Sequence, residues 1–228
     1  MNRIILALDT PNLTEALDIT KKIKNKIFTV KLGLEFFNAN GKEGIKHFNK
    51  LGINNLMLDL KLHDIPETIY KSIKALDDIQ FSFLTIHGQG GKLMIDKAKK
   101  AAGEIKSKPS IMMVTVLTSL SDKDLKDVGN KSTVKRQVED LAKVAEEKKV
   151  GVVCSGHETK IVRDTIGSDL LIFTPGIRMK SDKDNDQKRI CTPAESIKNG
   201  ANKIIMGRSL LNGNIEENLN RVANSLKV

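Results

Sequence analysis

"LMLDLKLHDIPETI", Leu56 to Ile69, begins as a buried strand and ends as the start of a helix. Leu56, Met57, Leu58 and Leu60 form the near-continuous apolar run of a strand covered on both faces. Yet Asp59, Lys61 and Asp64 place three charges within six positions, and an isolated charge is expensive to take out of water. Residues two apart on a strand face the same side, so Asp59 and Lys61 are expected to point together. Lys31, at the end of another apolar run, can join them. Alternating lysine and aspartate hold one another charged, because each opposite neighbour offsets part of the desolvation cost. Spacing alone leaves two readings open, a reactive cluster or a structural salt-bridge network. Asp64 has its own local grammar. Ile65, Pro66 and Glu67 follow it, the pattern of an N-cap with proline just inside the helix and an acid three positions on.

Outward from this stretch, apolar runs alternate with helical patterns along the whole chain. The runs are Ile4–Leu8, Phe28–Leu32, Leu56–Leu60, Phe81–Ile86, Ile111–Val116, Val150–Cys154, Leu170–Phe173 and Lys203–Met206. The clearest helix is Thr133–Lys148, with Val134, Val138, Leu141 and Val144–Ala145 on one stripe. Eight such units in 228 residues predict an α/β fold, a (β/α)8 TIM barrel forming a single domain over residues 1–228. An open doubly wound sheet would want a Gly-rich phosphate loop after the first strand, and "DTPN" does not supply one.

The bulk properties exclude several classes. No apolar run approaches the roughly 20 residues of a membrane-spanning helix. "MNRIILALDTPN" carries too short an apolar run for a leader and reads as a first strand. Two cysteines, Cys154 and Cys191, form no C-x-x-C pair and no zinc spacing, which suits a reducing cytoplasm and calls for no metal. The net charge of +10 fits an anionic partner or simply a lysine-rich surface. Aromatic residues are scarce and not interleaved with basic ones, so no nucleic-acid platform is expected.

In a barrel, polar residues at the C-terminal strand ends are the place to look for a site. These are Asp9, Lys31, Asp59 with Lys61, His87 before "GQGG", Thr118 with Ser119, Thr174 with Pro175 and Gly176, and Gly207 with Arg208. "TPGIR" and "IIMGRSL" add Arg178 and Arg208 where barrels often hold a phosphate. Thr174–Ile190 is polar and unusually long for a strand-to-helix connection, so it reads as a lid. His87 reads as a buried structural residue and Cys154 as a small core residue; His63 receives no role.

These residues carry a resemblance. "ALD" at Ala7–Asp9, "KLG" at Lys31–Gly33, "DLKLHDIPET" at Asp59–Thr68, "TVLTS" at Thr115–Ser119, "TPGIR" at Thr174–Arg178, "DQKR" at Asp186–Arg189 and "GRSL" at Gly207–Leu210 resemble the orotidine 5′-phosphate decarboxylase family. The D-x-K-x-x-D core is shared with related sugar-phosphate enzymes, so a magnesium-dependent sugar-phosphate decarboxylase or synthase is the alternative. "KLHDIP" together with "PGIR" and "DQKR" is specific to the orotidylate enzymes. "HGQGG" departs from the family, which carries smaller residues such as alanine there. The resemblance implies a cofactor-independent, metal-free homodimer that turns orotidine 5′-phosphate into UMP and CO2, the last step of UMP biosynthesis. It further implies a catalytic tetrad of Lys31, Asp59, Lys61 and Asp64, with Lys61 protonating C6 and Asp64 completing the other subunit's pocket, as Thr68 also would. Asp9 and Lys31 would hold the ribose, and Thr118 and Ser119 the pyrimidine. Gln187, Gly207 and Arg208 would hold the phosphate, with Pro175 and Arg178 in the same region.

Overall fold

Apolar runs buried on both faces do become strands. In the computed structural model, which describes residues 2–179 and 191–226, Ile4–Leu8 (β1) and Thr29–Gly33 (β2) are buried at every position. The remaining strands are Leu56–Leu62 (β3), Phe83–His87 (β4), Ser110–Val114 (β5), Gly151–Val153 (β6), Ile172–Thr174 (β7) and Lys203–Met206 (β8). Their hydrogen-bonded order follows the chain from β1 to β8 and closes, the (β/α)8 barrel expected. Two of the eight runs match the strand limits residue for residue, β1 and β8. β3 runs two residues beyond the expected end, and that extension carries Lys61.

The chain divides into two compact units, Met1–Met112 and Met113–Val228. In the first, helices Leu13–Ile23 (α1), Leu34–Lys50 (α2), Pro66–Lys74 (α3) and Gly91–Glu104 (α4) follow their strands, with a 3-10 turn at Gly88–Gly90 before α4. Parallel pairing sets Ala7 opposite Lys31 and Gly33 opposite Asp59. In the second lie Asp122–Asp127 (α5), Val134–Lys148 (α6), Thr159–Ile166 (α7), Pro193–Lys198 (α8), Arg208–Leu211 (α9) and Ile215–Ser225 (α10). α6 matches the expected helix, with Thr133 as its N-cap accepting the Arg136 N–H. Its buried stripe includes Ala142 while Val144 is only half-buried.

The cap assigned to Asp64 is a correction. The N-cap of α3 is Ile65, and no side chain caps it. Pro66 opens the helix without an N–H and pushes the residue before it into extended backbone, so Ile65, at ψ 150°, takes the cap position. Asp64 accepts the Ile65 N–H at 2.7 Å instead, and Glu67 binds Lys97 Nζ at 2.9 Å rather than closing a capping box. Cys154 is buried core as expected. Among the described residues no helix is long and apolar enough to cross a membrane.

Candidate active site

β3 does not carry Asp59 and Lys61 by simple alternation. Leu58 pairs with Leu84, and Leu62 pairs with Ile86. Three β3 residues, Asp59, Leu60 and Lys61, therefore stand opposite one β4 residue, Thr85. Such a bulge bends the strand and re-aims its side chains. Lys61 sits in it with φ +46°, in the left-handed region that side chains disfavour. Backbone strain of this kind collects at functional sites.

The side chains meet in a continuous ion-pair chain inside the first unit. Lys31 Nζ lies 3.2 Å from Asp9 Oδ1 and 3.1 Å from Asp59 Oδ2. Lys61 Nζ lies 2.8 Å from the same Asp59 Oδ2. The second Asp59 oxygen, Oδ1, accepts the Thr85 hydroxyl at 2.9 Å. The two middle side chains are shielded, with Lys31 10% and Asp59 11% exposed, while Lys61 at 31% and Asp9 at 62% are more open to solvent. Gly33 makes room for this. A Cβ there would stand 3.3 Å from Lys31 Nζ and 3.5 Å from Asp9 Oδ1.

Electrostatics keeps the shielded pair ionised. Burial works to raise the Asp59 carboxyl, but the Lys31 and Lys61 ammoniums outweigh it and hold the group below its ordinary value. Burial likewise works to lower Lys31, and the Asp59 and Asp9 carboxylates hold it above its ordinary value. An ammonium fixed beside a shielded carboxylate and open on one side is a preorganised positive charge and a proton source.

His87, expected to be buried, is half-buried at the end of β4, and its ring lies 5.4 Å from that of His63. Burial first, then His63 and Lys61, push its imidazolium pKa down, favouring the neutral ring.

The other expected site residues fall into two groups. Asp64 and Thr68 are exposed at the start of α3, and among the described residues no ion pair links Asp64 to the lysines. The rest belong to the second unit. Thr118 is half-buried and Ser119 exposed just past β5. Pro175 is half-buried after β7; Arg178 is buried and donates to the Ile177 carbonyl at 2.9 Å. Gly207 is half-buried and Arg208 exposed at the start of α9. Gln187 and most of the expected lid lie outside the described residues. The flanks of that segment are tied together: Arg178 N–H donates to the Cys191 carbonyl at 3.0 Å, beside a bridge from Ile177 to Cys191.

Sequence reasoning missed Thr85, Gly33 and the pairing of His63 with His87. Thr85 lay inside an apolar run and threonine suits a strand, so nothing marked it. A hydroxyl two residues before the strand's end was the available signal. Among the described residues, no group of three or more His, Cys, Asp or Glu side chains is placed to hold a metal ion.

Comparison with known proteins bears on this arrangement. Residues 2–219 match the model of the orotidine 5′-phosphate decarboxylase / HUMPS family. An orotidine 5′-phosphate decarboxylase of Sphingopyxis alaskensis is 43% identical over 208 residues, 91% of each chain. One from Wolbachia of Brugia malayi is 42% identical over 221 residues, 96% of each chain. The crystal structure of orotidine 5′-phosphate decarboxylase from Lactobacillus acidophilus superposes with a TM-score of 0.84 at 32% identity and covers all of both chains.

Proposed function

Since the chain belongs to the orotidine 5′-phosphate decarboxylase / HUMPS family, we propose that it decarboxylates orotidine 5′-phosphate to UMP and CO2 in pyrimidine biosynthesis and uses Lys61 as the acid. The observation that carries the mechanism is the Lys61 ammonium held 2.8 Å from Asp59, whose carboxylate also binds Lys31. As the C6–carboxylate bond breaks, its electron pair stays on C6 and CO2 departs. That carbanion has little resonance help, so a cation already in place lowers the barrier without reorganising. Lys61 then gives its proton to C6, which yields UMP, and regains one from solvent. Asp59, 2.8 Å from the ammonium, aims Lys61 before the reaction.

Asp9 and Lys31 hold the ribose hydroxyls, and Thr118 and Ser119 address the pyrimidine. Pro175, Arg178, Gln187, Gly207 and Arg208 form the phosphate end, whose binding energy assists the remote reacting end. The working form is a homodimer in the cytoplasm, with Asp64 and Thr68 completing the partner's pocket and with no part for nucleic acid, cofactor or metal.

The test is the loss of ultraviolet absorbance when orotidine 5′-phosphate is added to the purified protein, with and without EDTA. Turnover unaffected by chelation is expected. A protein that leaves orotidine 5′-phosphate intact, or loses its activity to EDTA, sinks the proposal.

A further inference from the structure

The arc of β3 that carries Asp59 and Lys61 is closed by one hydroxyl. Thr85 Oγ1 accepts the Lys61 backbone N–H at 2.9 Å and donates its own hydrogen to Asp59 Oδ1 at 2.9 Å. The other Asp59 oxygen receives Lys61 Nζ at 2.8 Å. The ring thus runs from the Lys61 backbone through the Thr85 hydroxyl and the Asp59 carboxylate to the Lys61 ammonium. Both ends of one lysine are tied through one threonine.

A bulge leaves its extra residues without ladder partners, so the Lys61 N–H needs another acceptor. A hydroxyl can accept one hydrogen bond while donating another, which neither a carbonyl nor an amide N–H can do. Thr85 is fully buried, so water does not replace its hydroxyl. Its methyl-bearing Cβ also restricts χ1. The left-handed φ of Lys61 and the orientation of Asp59 are therefore both referred to a part that cannot turn.

We propose that Thr85 is a positioning residue of the reaction: its hydroxyl fixes the Lys61 backbone and the Asp59 carboxylate together and thereby aims the Lys61 ammonium. This rests on Lys61 acting as the acid on orotidine 5′-phosphate. The substrate's phosphate and ribose are held by other residues, so loss of the hydroxyl separates rate from affinity. An interaction that matters only at the transition state lowers kcat and kcat/KM equally.

The test compares Thr85→Val, Thr85→Cys and Thr85→Ser with the wild type, reading kcat and KM for orotidine 5′-phosphate and inhibition by UMP. Misplacing a catalytic group by an ångström costs about a hundredfold, so Thr85→Val should lose roughly tenfold to a hundredfold in kcat. KM and the UMP inhibition constant should stay within about twofold, the pattern of a lost transition-state interaction. Thr85→Ser, which restores the hydroxyl, should recover most of kcat. Thr85→Cys keeps the volume with a weaker donor, so it decides the matter if the valine variant does not fold; it too must lose kcat at constant KM. A valine or cysteine variant with wild-type kcat overturns the proposal. So does a serine variant no better than cysteine, or a loss that appears in KM alone. A wild type with no turnover of orotidine 5′-phosphate overturns the functional reading instead, before the variants are compared.

Discussion

Asp59 and Asp78, both in the first unit, each bind two lysines, and their surroundings differ. Asp59 takes Lys31 and Lys61 on one oxygen and the Thr85 hydroxyl on the other. Asp78, in the turn after α3, takes Lys42 on Oδ1 at 2.8 Å and Lys46 on Oδ2 at 2.9 Å. Residue types and distances are nearly the same. Water is what differs. Asp59 is 11% exposed and Asp78 45%. At Asp59 burial is the largest influence on the carboxyl, and the lysines must overcome it. At Asp78 the Lys42 and Lys46 hydrogen bonds come first and bring the group to about 2. A lysine–aspartate–lysine motif is therefore not a site by composition. In the proposed reading it becomes one where solvent is excluded.

The largest effect should come from the lysine on the open side of the shielded cluster. Lys61→Ala removes the preorganised cation and the proton source together, so turnover should fall by at least about a thousandfold. The fold should persist, because Lys61 is 31% exposed and its removal leaves Asp59 still bound to Lys31 and Thr85. Circular dichroism and initial rates measure both. Mixing inactive Lys61→Ala with inactive Asp64→Ala under subunit exchange sharpens the result. A shared pocket gives mixed dimers one site with both defects and one intact, so activity returns. Proven exchange with no recovery would place Asp64 in its own subunit's affairs.

Asp59→Asn comes next and touches stability as well. It leaves the shielded Lys31 ammonium with Asp9 as its remaining carboxylate, so the cost falls at or below the lower end of the roughly 3–5 kcal/mol of a broken buried pair, while Lys61, 31% exposed, is left to solvent. Its melting temperature should drop clearly. The pH dependence carries a sign. The folded Asp59 pKa lies below its ordinary 3.8, so its contribution is complete above that value and disappears as pH falls through the folded value. Lys31 lies above its ordinary 10.5, so its contribution is complete below that value and fades as pH rises through the folded one. Acidification below about pH 4 should thus destabilise the wild type more steeply than Asp59→Asn. Parallel acid limbs in the two melting series would show that Asp59 is not held as described.

How much of this could be read from the chain depends on where each feature's cause lies. Strands such as Ile4–Leu8 and Lys203–Met206 are local apolar runs with both faces covered, so composition alone marks them. Lys31, Asp59 and Lys61 were legible as a group because charges at the end of an apolar run are costly and visible. The reason they meet was not. Period-two alternation brings Asp59 and Lys61 together on paper, whereas the chain uses a bulge, and a bulge is a property of β3 and β4 jointly. Thr85 was hidden for the same reason, since its two partners are 24 and 26 residues away. Asp64 failed in the other direction. Its local grammar was that of a cap, but Pro66 hands the cap position to Ile65.

The smallest effect is expected at the exposed aspartate, and it tests the comparison most directly. Asp78→Asn removes a carboxylate bound by two lysines, as Asp59→Asn does. Here both lysines keep a partner: Lys42 donates to the Ala75 carbonyl at 3.0 Å, and Lys46 binds Glu43 at 2.7 Å. Neither ammonium is stranded out of water, since Lys42 is 40% and Lys46 31% exposed. Exposed ion pairs gain little against solvent and salt. Melting temperature and kcat of Asp78→Asn should therefore match the wild type within error, at both low and high salt. A fall as large as that of Asp59→Asn would mean that shielding is not what separates the two clusters, and the distinction between a solvated lysine–aspartate pair and a reactive one would have to be sought in the hydroxyl that only Asp59 has.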